Sequence, residues 1–312
     1  MKNVRIRLLW HPQAQFAGYH IAEQMNLARE AGVHIVCEPI RFDQSGTEAL
    51  LSGDVQMAVA SPSHLLESRC PVDLRFILAI QQESSLVYPV RVGSGIESVA
   101  DLRGRRVGVW PGHEDLELRW MLLKAGVADG AVERIPLSNT VTPFLAGEID
   151  CAQMTIYHEL HQAEEAAGHD RLRVFTAAPL AASLLKDGLL VHRNWIERNR
   201  DLAQAAVNAI LQGWTLAFTN EEVALDACSR ARPDMSRTEN ARQLRDIRAL
   251  SLREASLTHG LGYPDPRHIE RALRAMHDLG IPTAGLPGED AADTSFWHNA
   301  PAEWRSASWT QD

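Results

Sequence analysis

Apolar runs of strand length alternate with amphipathic helical patterns along the first 190 residues. The first 80 residues predict strands at 4–10, 33–38, 55–60 and 74–80, with helices at 15–30, 46–51 and 61–69. Strands that alternate with helices at such short intervals are typical of a parallel sheet with helices on its faces. We therefore expect one compact α/β unit in this part of the chain.

The same alternation begins again near residue 96. Before it, an apolar segment at 86–92 contains Pro89, which favours an edge strand or a segment that crosses between units. The second set predicts strands at 107–110, 132–137, 149–154 and 172–177, with helices at 114–125, 141–146 and 157–167. A strand at 188–192 then returns toward the first unit. The chain is therefore expected to cross twice between two α/β lobes, near 86–95 and 178–193, which predicts a hinge.

The pattern after residue 194 changes to long amphipathic helices, the last of them at 266–279 and ended by Gly280. From residue 282 onward glycine, proline, aspartate and serine dominate, and this composition predicts a surface tail without regular structure. We assign residues 1–88 and 190–312 to lobe 1, which includes the C-terminal helices, and residues 89–189 to lobe 2.

The composition is that of an ordinary soluble globular protein, and the 312 residues suffice for two domains. The net charge of −9 is spread along the chain without a basic cluster, which argues against a nucleic-acid partner. No stretch predicts a membrane helix, and the first residues lack the apolar core of a signal peptide. We expect a cytoplasmic protein if the chain is complete as given, and a periplasmic or otherwise extracytoplasmic one if a signal was removed.

Two predicted strand ends share one design. Trp10-His11-Pro12 ends the first strand, and Trp110-Pro111-Gly112-His113 ends the first strand of the second set. Ligands of open α/β sheets collect where strands end and helices begin, so we expect the two tryptophans to form two walls of one cleft. A flat indole ring can stack on a heteroaromatic ligand. Packing of either tryptophan under a helix is the alternative.

Polar side chains at the other strand ends complete the expected site. Serine hydroxyls at 61 and 63 stand at a helix start, where they could contact a ligand or cap the helix. The Gln81 amide can both donate to and accept from a polar heterocycle, and Glu159 could accept from an amino group. A surface loop and a solvated glutamate are the respective alternatives. The predicted ligand-binding residues are Trp10, Gln13, Tyr19, Ser61, Ser63, His64, Gln81, Ser84, Trp110, His113, Asn139, Thr140, Tyr157 and Glu159.

No catalytic residue and no metal ligand is predicted. The segment His158-Glu159-Leu160-His161 has Gln162 where the metalloprotease pattern requires its second histidine. The four cysteines, Cys37, Cys70, Cys151 and Cys228, contain no CxxC pair and are interpreted as small buried apolar residues.

Seven segments within about the first 230 residues carry a family resemblance: 9–13 (Leu-Trp-His-Pro-Gln), 16–19 (Phe-Ala-Gly-Tyr), 53–60, 101–109, 147–152, 190–195 and 212–214 (Gln-Gly-Trp). They resemble the solute-binding proteins of ABC importers. The branch in question includes binders of thiamine pyrimidine precursors and the eukaryotic pyrimidine-precursor synthase of thiamine biosynthesis. The motifs at 53 and 101 are common to the wider group of such binders, whereas the Trp-x-Pro opening is more typical of the pyrimidine-binding branch.

The resemblance implies a two-lobe type II periplasmic-binding fold of the α/β class, with a hinge and a helical C-terminal part. It also implies a ligand held between the lobes and an ABC permease in the membrane as partner. The synthase branch carries a lysine, which holds pyridoxal phosphate as an imine, where this chain has Ala60, and it carries a cysteine cluster that this chain lacks. His64 does fall where that branch has a histidine. We therefore expect a binding protein without a cofactor.

Two other functions stay open on the sequence alone: a cytoplasmic synthase-like enzyme, and a ligand-sensing module that meets no transporter. Neighbouring genes for a permease and an ATPase would separate the importer from both. Binders of sulfonate and nitrate share the scaffold, but no arginine stands at a predicted strand end to hold an anion. The expected ligand is therefore a small planar heterocycle, most plausibly a thiamine pyrimidine precursor or a related compound.

Overall fold

The computed structural model describes residues 1–111 and 114–306. Met1–Glu83, Leu185–Glu270 and the segment from Gly285 onward form one compact unit, unit 1. Ser84–Leu184 and Arg271–Ala284 form the other, unit 2. Among the described residues, no helix combines the length and the apolar composition needed to cross a bilayer.

The helices and strands follow one another in three stretches. The first 83 residues contain β1 (Lys2–Arg7), α1 (Ala17–Gln24), β2 (Val33–Glu38), α2 (Gly46–Ser52), β3 (Met57–Val59), α3 (Pro62–Glu67) and β4 (Leu74–Leu78). Residues 84–184 contain β5 (Leu86–Arg91), β6 (Arg106–Val109), α4 (Leu116–Lys124), β7 (Glu133–Pro136), α5 (Val141–Ala146), β8 (Cys151–Ala152), β9 (Met154–Thr155), α6 (Glu159–Ala167) and β10 (Leu172–Phe175). The remainder contains β11 (Leu189–His192), α7 (Arg193–Arg198), α8 (Arg200–Thr219), α9 (Glu221–Ala231), α10 (Arg237–Ser251), α11 (Arg267–Asp278), α12 (Ser295–His298) and α13 (Ala302–Arg305).

The sheet of unit 1 has the strand order β2-β1-β3-β11-β4. β1 pairs in parallel with β2 and β3, whereas β11 runs antiparallel to both β3 and β4. Its inner strands are buried on both faces, as Met57 and Leu190 show with no exposed surface. The prediction that a strand near residue 190 returns to the first unit is confirmed, and its antiparallel direction makes the sheet mixed rather than parallel.

The sheet of unit 2 has the order β10-β5-β8-β6-β7, with β9 also paired to β5. β6 pairs in parallel with β7 and β8, while β5 is antiparallel to β8, β9 and β10. Of the two alternatives expected at Pro89, the edge strand is wrong, because β5 is an inner strand on which Pro89 faces Val174 of β10. Phe144, Ile149 and Met154 form the centre of the apolar core beside this sheet.

Two predicted elements end earlier than the apolar pattern suggests. β1 ends at Arg7, and the Leu8 amide makes a last hydrogen bond to Glu38 at the end of β2. The helix expected at 15–30 begins as a short 3₁₀ turn and ends at Gln24, because Asn26 adopts the left-handed backbone conformation, with φ of 52°.

The described part of the tail, residues 283–306, contains α12 and α13, which corrects the prediction of a segment without regular structure. Phe296 and Trp297 of α12 are 0% and 3% exposed. The Trp297 indole N–H donates to the Leu261 carbonyl at 2.8 Å, and the Asp293 amide donates to the Phe76 carbonyl of β4 at 2.9 Å. Isolated aromatics in a polar stretch thus anchor the tail to unit 1, an effect that composition alone does not reveal.

Two glycines allow α1 and α8 to pack in direct backbone contact. A β-carbon added to Gly18 would lie 2.3 Å from the Trp214 ring, and one added to Gly213 would lie 2.1 Å from the Gly18 carbonyl oxygen. Any larger residue at either position must push the helices apart. Both glycines lie in segments that carry the family resemblance, at 16–19 and 212–214.

We expect Gly213→Ala to destabilise unit 1. Alanine gains about 1 kcal/mol over glycine in a helix interior, but overpacking against a backbone carbonyl costs about 1–3 kcal/mol, and more where rigid backbone must move. Urea unfolding followed by tryptophan fluorescence measures the difference. Gly130→Ala is the control, because nothing lies within 4 Å of its added β-carbon and its φ is not left-handed. A Gly213→Ala protein with the wild-type midpoint would refute the close helix contact.

Candidate ligand-binding site

Four segments meet at one edge of the sheet in unit 1. β1 and β3 are parallel, so their carboxyl ends lie at the same edge. β11 is antiparallel to β3 and β4, so its amino end and the carboxyl end of β4 lie there as well. Ligands of open α/β sheets bind at such edges. The chain after β1, β3 and β4 and the chain before β11 therefore supply the side chains of the candidate site.

A buried hydrogen-bond network occupies this edge, and we call it the glutamine–aspartate cluster: Gln13, Gln15, Gln81, Asp187 and Gln243. Asp187 Oδ2 accepts from Gln15 Nε2 at 3.0 Å and from Gln81 Nε2 at 3.3 Å. Gln13 Nε2 donates to Gln15 Oε1 at 2.9 Å, and Gln243 Nε2 donates to Gln13 Oε1 at 3.3 Å. All five residues are at most 4% exposed. Each side chain fixes the next, so the cluster is a preorganised polar surface.

Asp187 is a buried acid at the centre of this network. Loss of hydration raises the pKa of its carboxyl group to about 7, against the opposing effects of the Gln15 hydrogen bond and the Lys186 charge. Burial also raises the pKa of the Tyr19 hydroxyl, and the charge of Asp187 adds to that rise. Among the described residues, Gln81 Oε1 and the Tyr19 hydroxyl have no hydrogen-bond partner. The site thus offers acceptor atoms to a ligand that carries N–H donors.

Lys186 adds a positive charge on the segment that leads into β11. Partial burial lowers the pKa of its ammonium group to about 7, although the charges of Glu67 and Asp187 oppose that shift. Two residues later, the Gly188 carbonyl accepts from the Ala60 amide at 2.9 Å, so this segment runs beside the end of β3. A lysine is therefore present two residues before Gly188, the residue that pairs with Ala60.

Ser61 and His64 are joined at the start of α3. The Ser61 hydroxyl accepts from the His64 amide at 3.0 Å, and His64 Nδ1 accepts from the Ser61 amide at 3.2 Å, so the two form a capping box. Burial, and next the Lys186 charge, lower the pKa of His64 to about 3, so its ring is neutral at pH 7. Ser63 is buried in the first turn of the same helix. The capping box accounts for the positions of Ser61 and His64 without a ligand. A ligand contact by either residue stays a prediction.

Trp10 lies beyond the end of β1, partly buried. It makes edge-on contacts with the His11 ring and the Phe42 ring, at centroid distances of 5.4 and 5.8 Å. Phe42 is itself 75% exposed. One face of this aromatic group is therefore open to solvent, and the expected stacking of Trp10 and Trp110 on one ligand stays a prediction.

In unit 2, two of the predicted residues contact Gln153, which follows β8 and is fully buried. The Trp110 amide donates to Gln153 Oε1 at 3.2 Å, and the Thr140 hydroxyl donates to the Gln153 carbonyl at 2.8 Å. Gln153 Nε2 in turn donates to the Glu114 carbonyl at 2.8 Å. Gln153 thereby links the chain after β6 with the start of α5.

The other predicted residues of unit 2 have mainly local partners. Asn139 Oδ1 accepts from the Val141 and Thr142 amides and so caps α5. Glu159 accepts from the Thr155 amide at 3.0 Å and from the Thr155 hydroxyl. Tyr157 is 3% exposed. His113 lies outside the described residues.

A buried carboxyl group in unit 2, Glu117 on α4, was not predicted. Its Oε2 accepts from the Leu184 amide at 2.7 Å and its Oε1 from the Tyr88 hydroxyl at 3.2 Å, and Ser84 also donates to it. Burial raises its pKa to about 7. Among the predicted site residues, Ser84 therefore lies against an acid rather than in a simple loop.

The residues that the sequence did not predict share one property: their partners are distant along the chain. Gln15 was read only as the first residue of a helix, and Lys186 and Asp187 precede a strand, a position that the carboxyl-end rule does not consider. The available signal for the pair was two adjacent charges directly before the apolar run at 188–192. Gln243 and Glu117 lie on helices and carried no such signal.

We expect Glu117→Gln to reduce the pH dependence of stability. The pKa of Glu117 rises from 4.5 when unfolded to about 7 when folded. Between these pH values the folded protein retains a proton that the unfolded chain releases. The free energy of unfolding is therefore highest below pH 4.5, and it falls by up to about 3 kcal/mol as the pH rises to 7. Urea unfolding at pH 4.5 and pH 8 measures this loss. Glu133→Gln, an exposed change in unit 2, should keep the wild-type slope. An unchanged slope in Glu117→Gln would contradict the assignment.

The fold is similar to that of several solved structures. A putative periplasmic sulfonate-binding protein from Methylobacillus flagellatus KT has a TM-score of 0.73 at 16% identity, over 99% of this chain and 96% of the other. The periplasmic nitrate-binding protein from Synechocystis PCC 6803 has a TM-score of 0.69 at 12% identity, over 98% and 91%. The desulfurization enzyme DSZB has a TM-score of 0.58 at 14% identity, over 95% and 98%. These similarities confirm the expected type II periplasmic-binding fold.

No curated protein sequence matches the chain significantly. The family model described as NMT1/THI5 like matches residues 13–224. That span contains most of the glutamine–aspartate cluster and, in unit 2, Gln153 and Glu117. Because the match covers more than half of the chain, this protein belongs to the NMT1/THI5-like family.

Proposed function

We propose that this protein is the substrate-binding component of an ABC importer, and that its ligand is a small planar heterocycle with amino groups. A thiamine pyrimidine precursor or a related compound is the candidate. The observation that carries the proposal is Asp187, a buried carboxyl group held by Gln15 and Gln81 at the carboxyl edge of the unit 1 sheet. The type II periplasmic-binding fold and the NMT1/THI5-like family both support this proposal, since substrate-binding components of ABC importers share that fold.

The chemistry of the cluster suits a ligand with both donors and acceptors. An aminopyrimidine offers amino N–H groups to Asp187 and to Gln81 Oε1, and its ring nitrogens accept from hydroxyl or amide donors. Hydrogen bonds to an ionised carboxylate are about twice as strong as those between neutral groups. The partly exposed Trp10 ring can add a stacking contact of about 1 kcal/mol.

An anionic ligand fits the cluster poorly. Two negative charges 4 Å apart repel by about 4 kcal/mol at the effective dielectric constant of a protein surface. With a pKa of about 7, Asp187 is mostly ionised above pH 7, and a sulfonate or nitrate beside it would then meet this repulsion. Lys186 offers one compensating charge, which Glu67 and Asp187 already face. We therefore favour a heterocycle over an anion.

Ligand binding is proposed to shift the protein toward a closed form that a membrane permease recognises. The partners are then the small molecule and the permease, and no nucleic acid is involved. The protein would act outside the cytoplasm. It performs no chemistry in this account, and it uses no cofactor.

The synthase-like enzyme is the alternative. Ala60 stands where that branch has its imine lysine, but Lys186 lies on the neighbouring segment and has a pKa lowered to about 7, which leaves part of its amine uncharged. Borohydride reduction in the presence of pyridoxal phosphate would trap an imine. A reduced adduct on Lys186, with turnover, would replace the binding proposal by the enzyme; no adduct supports the binding protein.

In a thermal-shift screen of aminopyrimidines, thiamine fragments, purines, flavins, nitrate and alkylsulfonates, we expect an aminopyrimidine to raise the melting temperature. A ligand that binds only the folded state stabilises it by RT ln(1 + L/Kd), where L is the ligand concentration, so the melting temperature rises with ligand concentration and affinity. Asp187→Asn should weaken binding at least about tenfold, because a charge-assisted hydrogen bond contributes about 1.5–3 kcal/mol. Calorimetric titration measures the affinity, and Asp43→Asn, an exposed change, should leave it unchanged. A shift by sulfonates alone would overturn the proposed ligand.

Trp10→Ala tests the stacking contact separately. Loss of about 1 kcal/mol corresponds to about a fivefold weaker affinity for the same aminopyrimidine. Trp195→Ala is the matched control, since Trp195 is also partly buried in unit 1 but lies on α7. Equal effects of the two substitutions would remove Trp10 from the binding site.

A further inference from the structure

Three potential metal ligands come together on a different part of unit 1. His20 and Glu23 lie three residues apart on α1, which places them on one face of the helix. Cys37 lies on β2, against which α1 packs. One ligand atom from each residue, a ring nitrogen, a carboxylate oxygen and the sulfur, lies within 4.8 Å of the other two.

His20 is the unexplained member of this group. Its side chain is 2% exposed, and neither ring nitrogen has a hydrogen-bond partner among the described residues. An edge-on contact with Phe16 accounts for the packing of the ring but satisfies no polar atom. Buried polar atoms are almost always paired in native proteins, and a metal ion is one way to pair them.

The other two residues are already held in position. The Cys37 amide donates to a Glu23 carboxylate oxygen at 3.0 Å, which links the helix to the strand. The Cys37 sulfur lies 3.6 Å from the Tyr19 carbonyl. The Cys37 thiol and the Glu23 carboxylate also share a side-chain hydrogen bond, so backbone contacts and this bond together hold the two groups in position.

We propose that His20, Glu23 and Cys37 bind one divalent cation of borderline softness, with Zn²⁺ as the natural choice and water as the fourth ligand. Nitrogen, sulfur and carboxylate oxygen are the donors that Zn²⁺ takes in proteins. Bond lengths of about 2.0–2.3 Å place tetrahedral ligands about 3.3–3.8 Å apart. The three side chains need to close by about 1 Å. Binding requires the thiol to lose its proton to solvent as the metal–sulfur bond forms.

The sequence pattern does not predict this site: the histidines at 158 and 161 come nearest to a metal-binding motif, and they lack its spacing. The present site joins a helix to a strand through residues that no spacing rule connects. It is also independent of the proposed transport function, because neither its donors nor its test involve the ligand of the glutamine–aspartate cluster.

Cobalt(II) titration of the untagged full chain, after treatment with a chelator, tests the proposal. Thiolate coordination to Co²⁺ gives a near-ultraviolet charge-transfer absorption, which a purely structural cysteine does not produce. We expect one equivalent of Co²⁺ to bind with this absorption and one equivalent of Zn²⁺ to displace it. Cys37→Ser should abolish the absorption, while Cys70→Ser, at another partly buried free cysteine, should retain it. Glu23→Gln should retain the absorption with at least tenfold weaker affinity.

Protection from alkylation keeps the test decisive if Cys37→Ser does not fold. In the wild-type protein, Zn²⁺ should slow iodoacetamide labelling of Cys37 at least tenfold and leave labelling of Cys70 unchanged, as peptide mass spectrometry measures. Three results would overturn the proposed site. The wild-type protein could show no charge-transfer absorption with Co²⁺, or Cys70→Ser could lose that absorption as well. The third is equal protection of Cys37 and Cys70 by Zn²⁺.

Discussion

Burial of the Asp187 carboxyl group is the constraint on which the candidate site depends. Removing a carboxylate from water costs several kcal/mol unless hydrogen bonds or opposite charge replace the hydration. Gln15 and Gln81 donate to it directly, and Gln13 and Gln243 hold Gln15 in place. The remaining cost appears as the raised pKa of Asp187. A site that retains such a group gains a strong acceptor at a fixed position, which is what recognition of an amino group requires.

The topology of unit 1 makes this arrangement possible. β11 enters the sheet between β3 and β4 and runs against both, so its amino end reaches the edge where the other strands have their carboxyl ends. Lys186 and Asp187 are thereby brought beside residues from the first 83 positions. The same insertion pairs Gly188 with Ala60, and Lys186 and Asp187, the two residues before Gly188, bring a positive charge and an acid on one segment.

The sequence predicted this edge of the sheet because strand ends in α/β folds follow a simple rule. Gln13, Ser61 and Gln81 follow the strands of the first unit and were expected for that reason, and the structure places Gln13 and Gln81 in one network. Lys186 and Asp187 could not be placed, because an apolar run does not reveal the direction of a strand within its sheet. Gln243 joins the network from α10, 228 residues beyond Gln15, through a contact that only tertiary packing creates.

Local pattern failed elsewhere for comparable reasons. Pro89 suggested an edge strand, but strand order depends on which partners the chain finds later. The tail looked irregular in composition, yet two buried aromatic side chains and backbone hydrogen bonds join its described part to the rest of unit 1. Glu117 and His20 are polar residues on helices, and their burial depends on neighbours from distant segments. Periodicity thus predicts elements and their order well, whereas burial of single polar residues is a property of the assembled fold.

A crystal structure of the protein with a bound aminopyrimidine tests the central claim most directly. We predict that the amino nitrogen lies within hydrogen-bond distance, about 3 Å, of an Asp187 carboxylate oxygen, with Gln81 Oε1 as a further acceptor. A ligand bound away from the glutamine–aspartate cluster, with Asp187 contacting only Gln15 and Gln81, would contradict it.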